Sequence, residues 1–263
     1  MTELFIYMIK FSKYALFILL FLAITSIALY SIKTPSNHRQ WSSEQETKTT
    51  ITIDDQKNVS IKNMRDFDWL QEQRSNQENY RNVQFNLSEL ASLKVAVSHF
   101  SVISELAHVF LMFELNNNVQ FGFSIEARRE KGEEYSLLGG LLARYELIYL
   151  IASEDDLLGI RKSRNEKIYL YPIKTTPEKV QDLFRIVADK TNEIDQKPEF
   201  YHLFLKNCTT LTVDLVGQIS DHNYSKLIPA FMPGNTGKAL FKMGLIETNE
   251  NSFKNVQKAS LEK

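Results

Sequence analysis

"HVFLMFELNNNVQFGFSIE", His108 to Glu126, consists of two apolar, aromatic-rich runs separated by Asn116-Asn117-Asn118. Aromatic and branched side chains favour extended backbone, and clustered asparagines favour turns. The stretch therefore reads as a β-hairpin. If Leu115 pairs with Val119 across the asparagines, Glu126 falls opposite His108 and Ser124 falls opposite Phe110. Directly opposed residues share a face of the sheet, so the imidazole gains a carboxylate neighbour. A slip in register would bring Ser124 beside His108 instead, which makes it the second candidate for that position.

Outward from the hairpin, "YELIYLIAS" (Tyr145 to Ser153) and "EKIYLYPI" (Glu166 to Ile173) read as further strands, with "EDDLLGIRKSR" between them. Thr176-Pro177-Glu178 opens a helix with a cap, a first-position proline and an acidic first turn. Its apolar stripe is Val180, Leu183, Phe184 and Val187. Strands followed by helices define an α+β domain, with an antiparallel sheet and packed helices.

The only cysteine lies in "YHLFLKNCTTLTVDLV", Tyr201 to Val216. Polar Lys206-Asn207 precedes it, Thr209-Thr210 follows, and Leu211, Leu215 and Ile219 then recur at helical spacing. Cys208 is thus expected in the first turn of a helix, where unpaired amides and the dipole lower a thiol pKa and can hold a developing oxyanion. The competing reading is a small buried hydrophobe, the usual state of a free cysteine. Asn207 either caps this helix or donates to an oxyanion. His108 as base, Glu126 to orient it and Cys208 as nucleophile would supply the three roles that thiol catalysis needs. Arg128, Arg129, Glu130 and Tyr135 form a polar cluster, suited either to a headgroup or to internal ion pairs.

The chain has 263 residues, 43% of them apolar, enough for one sizeable core with appended segments. A formal net charge of −1 gives no support to a nucleic-acid partner. A single cysteine forms no internal disulfide and does not distinguish an oxidising compartment from a reducing one. The histidines, His38, His99, His108, His202 and His222, show no ligand spacing with Cys208, and no Gly-rich phosphate loop occurs; neither metal nor cofactor is expected. From Tyr14 to Ile32 the sequence runs 19 residues without a charge, close to the length that crosses a bilayer. An uncleaved anchor fits better than a signal peptide, because the Ala28-Leu29-Tyr30 exit is a poor cleavage site. Lys10 and Lys13 before it are matched by Lys33, Arg39 and Lys48 after it, so orientation rests on the shortness of the leader. The expected organisation is a cytoplasmic leader 1–13, a transmembrane anchor 14–32, a polar linker 33–57, a globular domain 58–243 and a polar tail 244–263.

"NMRDF" (Asn63 to Phe67), "AHVFLMFEL" (Ala107 to Leu115), "SIEARREKGEEYS" (Ser124 to Ser136), "EDDLLGIR" (Glu154 to Arg161), "IYLYP" (Ile168 to Pro172) and "FYHLFLKNCTTL" (Phe200 to Leu211) together resemble the Lnb N-terminal periplasmic domain family. That resemblance implies a permuted papain-like fold similar to thiol enzymes of the lecithin retinol acyltransferase type, in which the histidine precedes the cysteine. It implies Cys208 and His108 as the reacting pair, with Glu126 third. It further implies transfer of an acyl chain from a phospholipid to an amine, with a lipoprotein as the acceptor of the namesake. The expected location is the bacterial inner membrane, single-pass, with the soluble domain facing the periplasm. A cysteine hydrolase of the same fold, acting on an amide or ester, and a non-catalytic binding module remain as alternatives.

Overall fold

The computed structural model describes residues 2–32, 34–69, 79–100, 106–218 and 232–262, with side chains on the first helix described for residues 13–28. The sheet is built from β1 (Thr50–Ile53), β2 (Asn58–Arg65), β3 (Tyr80–Asn86), β4 (Leu90–His99), β5 (Ala107–Leu115), β6 (Gln120–Arg128), β7 (Glu146–Ser153) and β8 (Lys167–Pro172). Its order is β1-β2-β7-β6-β5-β4-β8, with β3 on β2. The strands pair antiparallel except where β2 meets β7 in parallel at Arg65 and Ala152. The sheet is therefore mixed, a correction to the purely antiparallel expectation.

The hairpin has the register that the asparagine turn suggests. The Leu115 amide donates to the Val119 carbonyl at 2.9 Å, and Phe113 faces Phe121 while Leu111 faces Phe123. β5 is apolar along its length because both of its faces are covered. Val109, Leu111 and Phe113 pack towards α5 (Pro177–Gln196) and α6 (Cys208–Gln218). Phe110 and Met112 pack towards Leu157 and Leu158 of α4 (Glu154–Ser163). Phe113, Phe121 and Phe184 meet edge to face or stacked at 5.4–5.8 Å between centroids, an arrangement that adds to their burial. Gly122 marks the closest approach of α4: a Cβ there would lie 2.3 Å from Leu157 Cδ1 and 2.8 Å from Met112 Sδ.

The start of α5 follows from its sequence, with the Thr176 side chain accepting from the Lys179 amide and Pro177 in the first turn. Its stripe of Val180, Leu183, Phe184 and Val187 is fully buried. Ile219, the last residue of the stripe read into α6, lies outside the described residues.

Two segments that composition makes a linker and a tail carry ordered structure. In the first, β1 pairs with β2, and Trp41 and Gln45, the latter on α2 (Ser43–Glu46), are buried. The Arg128 guanidinium lies 4.2 Å over the Trp41 ring and donates to the carbonyls of Gln45 and Glu46. Main-chain and cation–π contacts supply the order that this polar stretch could not obtain from apolar burial. In the second, α7 (Thr236–Lys242) leads to Ile246 and then to α8 (Phe253–Ala259), whose Val256 is buried. The Leu170 amide donates to the Ser260 carbonyl at 2.8 Å and the Glu262 amide to the Ile168 carbonyl at 2.9 Å, which covers the otherwise open edge of β8.

At the N-terminus, α1 (Thr2–Ile32) takes up the uncharged stretch. Among the described residues, no helix is long and apolar enough to cross a membrane.

Candidate active site

α6 begins at Cys208 because Asn207 caps it. The Asn207 Oδ1 accepts from the Thr209 and Thr210 amides, each at 2.8 Å, and its Nδ2 donates to the Leu203 carbonyl. Asn207 is therefore a structural cap, and its side-chain amide is already committed. The cap also consumes two of the amides that a helix start would offer to an anion. Cys208 is 6% exposed.

His108 stands near the start of β5, paired across the sheet with Ser98. Its Nε2 lies 2.7 Å from Ser124 Oγ and 3.2 Å from Glu126 Oε1. The Ser124 hydroxyl donates to the same Oε1 at 2.7 Å, so the ring N–H points at Ser124 and the hydroxyl proton passes the polarity on to the carboxylate. Ser124 and Glu126, the two candidates for the position beside His108, thus act in series. With Nε2 occupied, Nδ1 is the nitrogen left for the sulfur, and ring and thiol each act on the other's charge.

The charges follow from this geometry. Burial works against a charged His108 ring, but the Glu126 carboxylate and the Cys208 sulfur outweigh it and raise the ring to about 9. Burial pushes the Cys208 thiol up; the ring's charge, its hydrogen bond and the Val109 amide pull it below the ordinary thiol value. Burial also opposes the charge on Glu126, yet His108 and Arg161 hold this carboxyl well below its usual range. The ring's charge thus favours the thiolate, and the sulfur's charge favours the imidazolium.

Cys208 and His108 open onto one cavity of about 500 Å³, which Glu126, Tyr135, Arg161 and Tyr201 also line. The Tyr135 and Tyr201 hydroxyls are 3.5 Å apart. Burial and then the negative charge at Cys208 push the Tyr201 phenol up, so it stays protonated and able to donate. Arg128 is not brought to this cleft: it is 1% exposed, and its donors serve the N-terminal segment. Arg129 lines the cavity in its place, paired with Glu44 at 2.5 Å. Glu130 pairs with Arg39 at 3.0 Å. Among the described residues, no group of histidine, cysteine and acidic side chains is arranged to hold a metal ion.

Two residues at the site escaped the sequence reading. Arg161 donates from Nη2 to Glu126 Oε1 at 3.0 Å and is 4% exposed. A signal for it existed: it lies one helical turn after Leu157, on the buried stripe, where an arginine needs a partner. Tyr201 stands seven positions before the thiol, and nothing in local spacing foretells that the intervening turn folds it back towards Cys208. That turn is closed by paired bonds between His202 and Lys206 at 2.9 and 3.0 Å.

Fold and site together define an α+β domain in which a buried cysteine and histidine, with a half-buried glutamate beside the ring, line one cleft. Residues 76–240, a span that contains all three, match the profile of the Lnb N-terminal periplasmic domain. The chain belongs to that family. No curated protein and no solved structure matches it.

Proposed function

We propose that the protein is a membrane-anchored thiol acyltransferase of the cell envelope, resembling a lipoprotein N-acyltransferase. The observation that carries this reading is that Cys208 and His108 line one cavity, with Ser124, Glu126 and Arg161 behind the ring. In the first step the Cys208 thiolate attacks an ester carbonyl carbon of a phospholipid, and a C–S bond forms. The oxyanion meets the Cys208 amide and the Tyr201 hydroxyl. As the C–O bond breaks, the His108 proton passes to the leaving alcohol oxygen, leaving a thioester and a neutral imidazole. In the second step an amine attacks the thioester carbonyl and gives its proton to His108. A C–N bond forms, the C–S bond breaks and the thiolate returns. Transfer to the N-terminal α-amine of a lipoprotein would match the family's namesake.

Anchoring by α1 is part of the proposal. Its large apolar side chains from Tyr14 to Phe21 are each more than half exposed, as expected of a helix whose surroundings are lipid. The domain faces the periplasm, in keeping with the family's description, and the anchor keeps the cleft in the plane of a lipid donor.

The test is to incubate the full-length chain in phospholipid nanodiscs with a fluorescent phospholipid and a diacylated lipopeptide bearing a free amine. A hydroxylamine-sensitive adduct on Cys208 that is discharged only by the lipopeptide supports transfer. Discharge by buffer alone replaces transfer with hydrolysis, and no labelling of Cys208 by any activated ester overturns both in favour of a binding module.

A further inference from the structure

Four of the large apolar side chains that the fold leaves exposed lie on two segments beside the cleft. Leu137 and Leu138, 47% and 55% exposed, lie on α3 (Leu137–Leu141); Phe204 and Leu205, 46% and 61% exposed, lie in the turn ahead of Cys208. Leu137 and Phe204 line the cavity itself. The two segments are fastened together, since the Leu203 amide donates to the Gly140 carbonyl at 3.0 Å. They form a rim, and monomeric proteins seldom expose such a rim unless something covers it.

α1 reaches the same place. Ser26, 2% exposed, donates to the carbonyl of Leu141 at the end of α3, and its hydroxyl is 3.2 Å from His202 Nε2 at the start of the turn. If α1 spans the bilayer as far as Ile32, Ser26 lies six residues inside the apolar stretch, roughly 9 Å along the helix. Residues touching it sit at that depth too, which is the boundary between headgroups and acyl chains where interfacial apolar side chains settle, about 5–10 Å in.

We propose that Leu137, Leu138, Phe204 and Leu205 insert into the periplasmic leaflet, so that the cleft opens directly onto lipid. This rests on the anchored-transferase reading, and it adds which face of the domain meets the bilayer and how the donor enters. A phospholipid would reach Cys208 by lateral movement past Phe204, without its acyl chains crossing water. The rim, the cleft and the anchor thus share one face, and the Asn116–Asn118 turn points away from it, seven strand residues or roughly 23 Å from His108.

The experiment places a tryptophan at each end of that axis in the full-length chain, reconstituted in vesicles containing brominated phosphatidylcholine. Trp41 and Trp69 contribute the same background to both variants. Emission from Leu205→Trp should be quenched well beyond that from Val119→Trp; equal quenching, or none, overturns the proposal. A second measurement pairs Leu138→Glu with Leu205→Glu, neither of which lines the catalytic cavity. Phospholipid turnover in vesicles should fall at least about tenfold, the scale of removing two leucines from lipid, while turnover of soluble p-nitrophenyl acetate stays at the wild-type rate. Loss on both substrates, or on neither, overturns the rim's role. If the wild-type chain acts on no ester but Leu205→Trp is still quenched, the functional reading fails and the rim stands. If esters turn over and the quenching is absent, the rim alone fails.

Discussion

α4 contributes one charge to each of two buried ionic clusters, and the two are finished differently. Asp156, in its first turn, accepts from Arg65 Nε at 2.9 Å and Nη2 at 2.6 Å, from the Phe67 amide at 2.8 Å and from Trp69 Nε1 at 3.1 Å. The remaining Arg65 nitrogen, Nη1, donates to the Glu44 carbonyl at 3.0 Å. Each charged atom there is answered from within the chain. Arg161, on the last turns of the same helix, shares one carboxylate oxygen of Glu126 with His108 and Ser124, and its own Nε is buried without a partner. The first cluster is closed and fastens β2 to α4. The second is left under-satisfied beside a cavity, the condition in which a bound group changes the balance of charge. Composition does not separate them; an account of donors and acceptors does.

The largest effects should fall on opposite properties. Cys208→Ala is expected to abolish adduct formation and turnover with a cost of about 1 kcal/mol or less, a shift of a few degrees in Tm. Asp156→Ala is expected to cost about 3–5 kcal/mol, because it strands the buried Arg65 guanidinium, a hundredfold or more in the folding equilibrium. Its turnover per folded molecule should remain close to wild type. Denaturant titration alongside adduct mass spectrometry checks both. A Cys208→Ala protein that unfolds, or an Asp156→Ala protein that is stable and inactive, would erase the distinction between the clusters.

A step below these lies Tyr201→Phe. Removing one oxyanion donor lowers kcat about a hundredfold in sites of this kind. Alkylation of Cys208 by iodoacetamide should proceed at the wild-type rate, because the thiol is lowered by His108 and not by the phenol. Slower alkylation in step with slower turnover would instead make Tyr201 a packing residue of the cleft wall.

Much of this contrast could be read from sequence where the information is local. The asparagine turn fixes the register of β5 and β6, and that register puts His108, Ser124 and Glu126 on one face of the sheet. The Lys206-Asn207 step before Cys208 announces the cap and the helix. What escaped depends on contacts between distant segments. Nothing near Asp156 names Arg65 as its partner, and nothing near Arg128 reveals that Trp41 and two carbonyls will claim it. By sequence the polar stretch before β2 is a linker, because composition measures only the apolar burial that a segment can provide for itself. Its order comes from a sheet edge and a guanidinium supplied by others.

The smallest effect is the most specific to the open cluster. His108 is held at about 9, above the ordinary histidine value near 6.5, because its charged form is favoured in the folded protein. The sign follows: its contribution to stability is complete below about 6.5 and is lost as pH rises through about 9. The rate should fall on the same alkaline limb, because a neutral ring has no proton for the leaving alcohol. Glu126→Gln removes the anion that raises the ring, so the limb should move to lower pH. Arg161→Gln removes a cation that lowers it, so the limb should move to higher pH. Both substitutions act at one carboxylate oxygen, yet they displace the profile in opposite directions, with only a several-fold change at the plateau. A structural disturbance has no reason to reverse sign between them. A pH–rate profile of soluble-ester turnover for the two variants decides whether the ring is tuned by charge; a shared direction would return the second cluster to the same purely fastening role as the first.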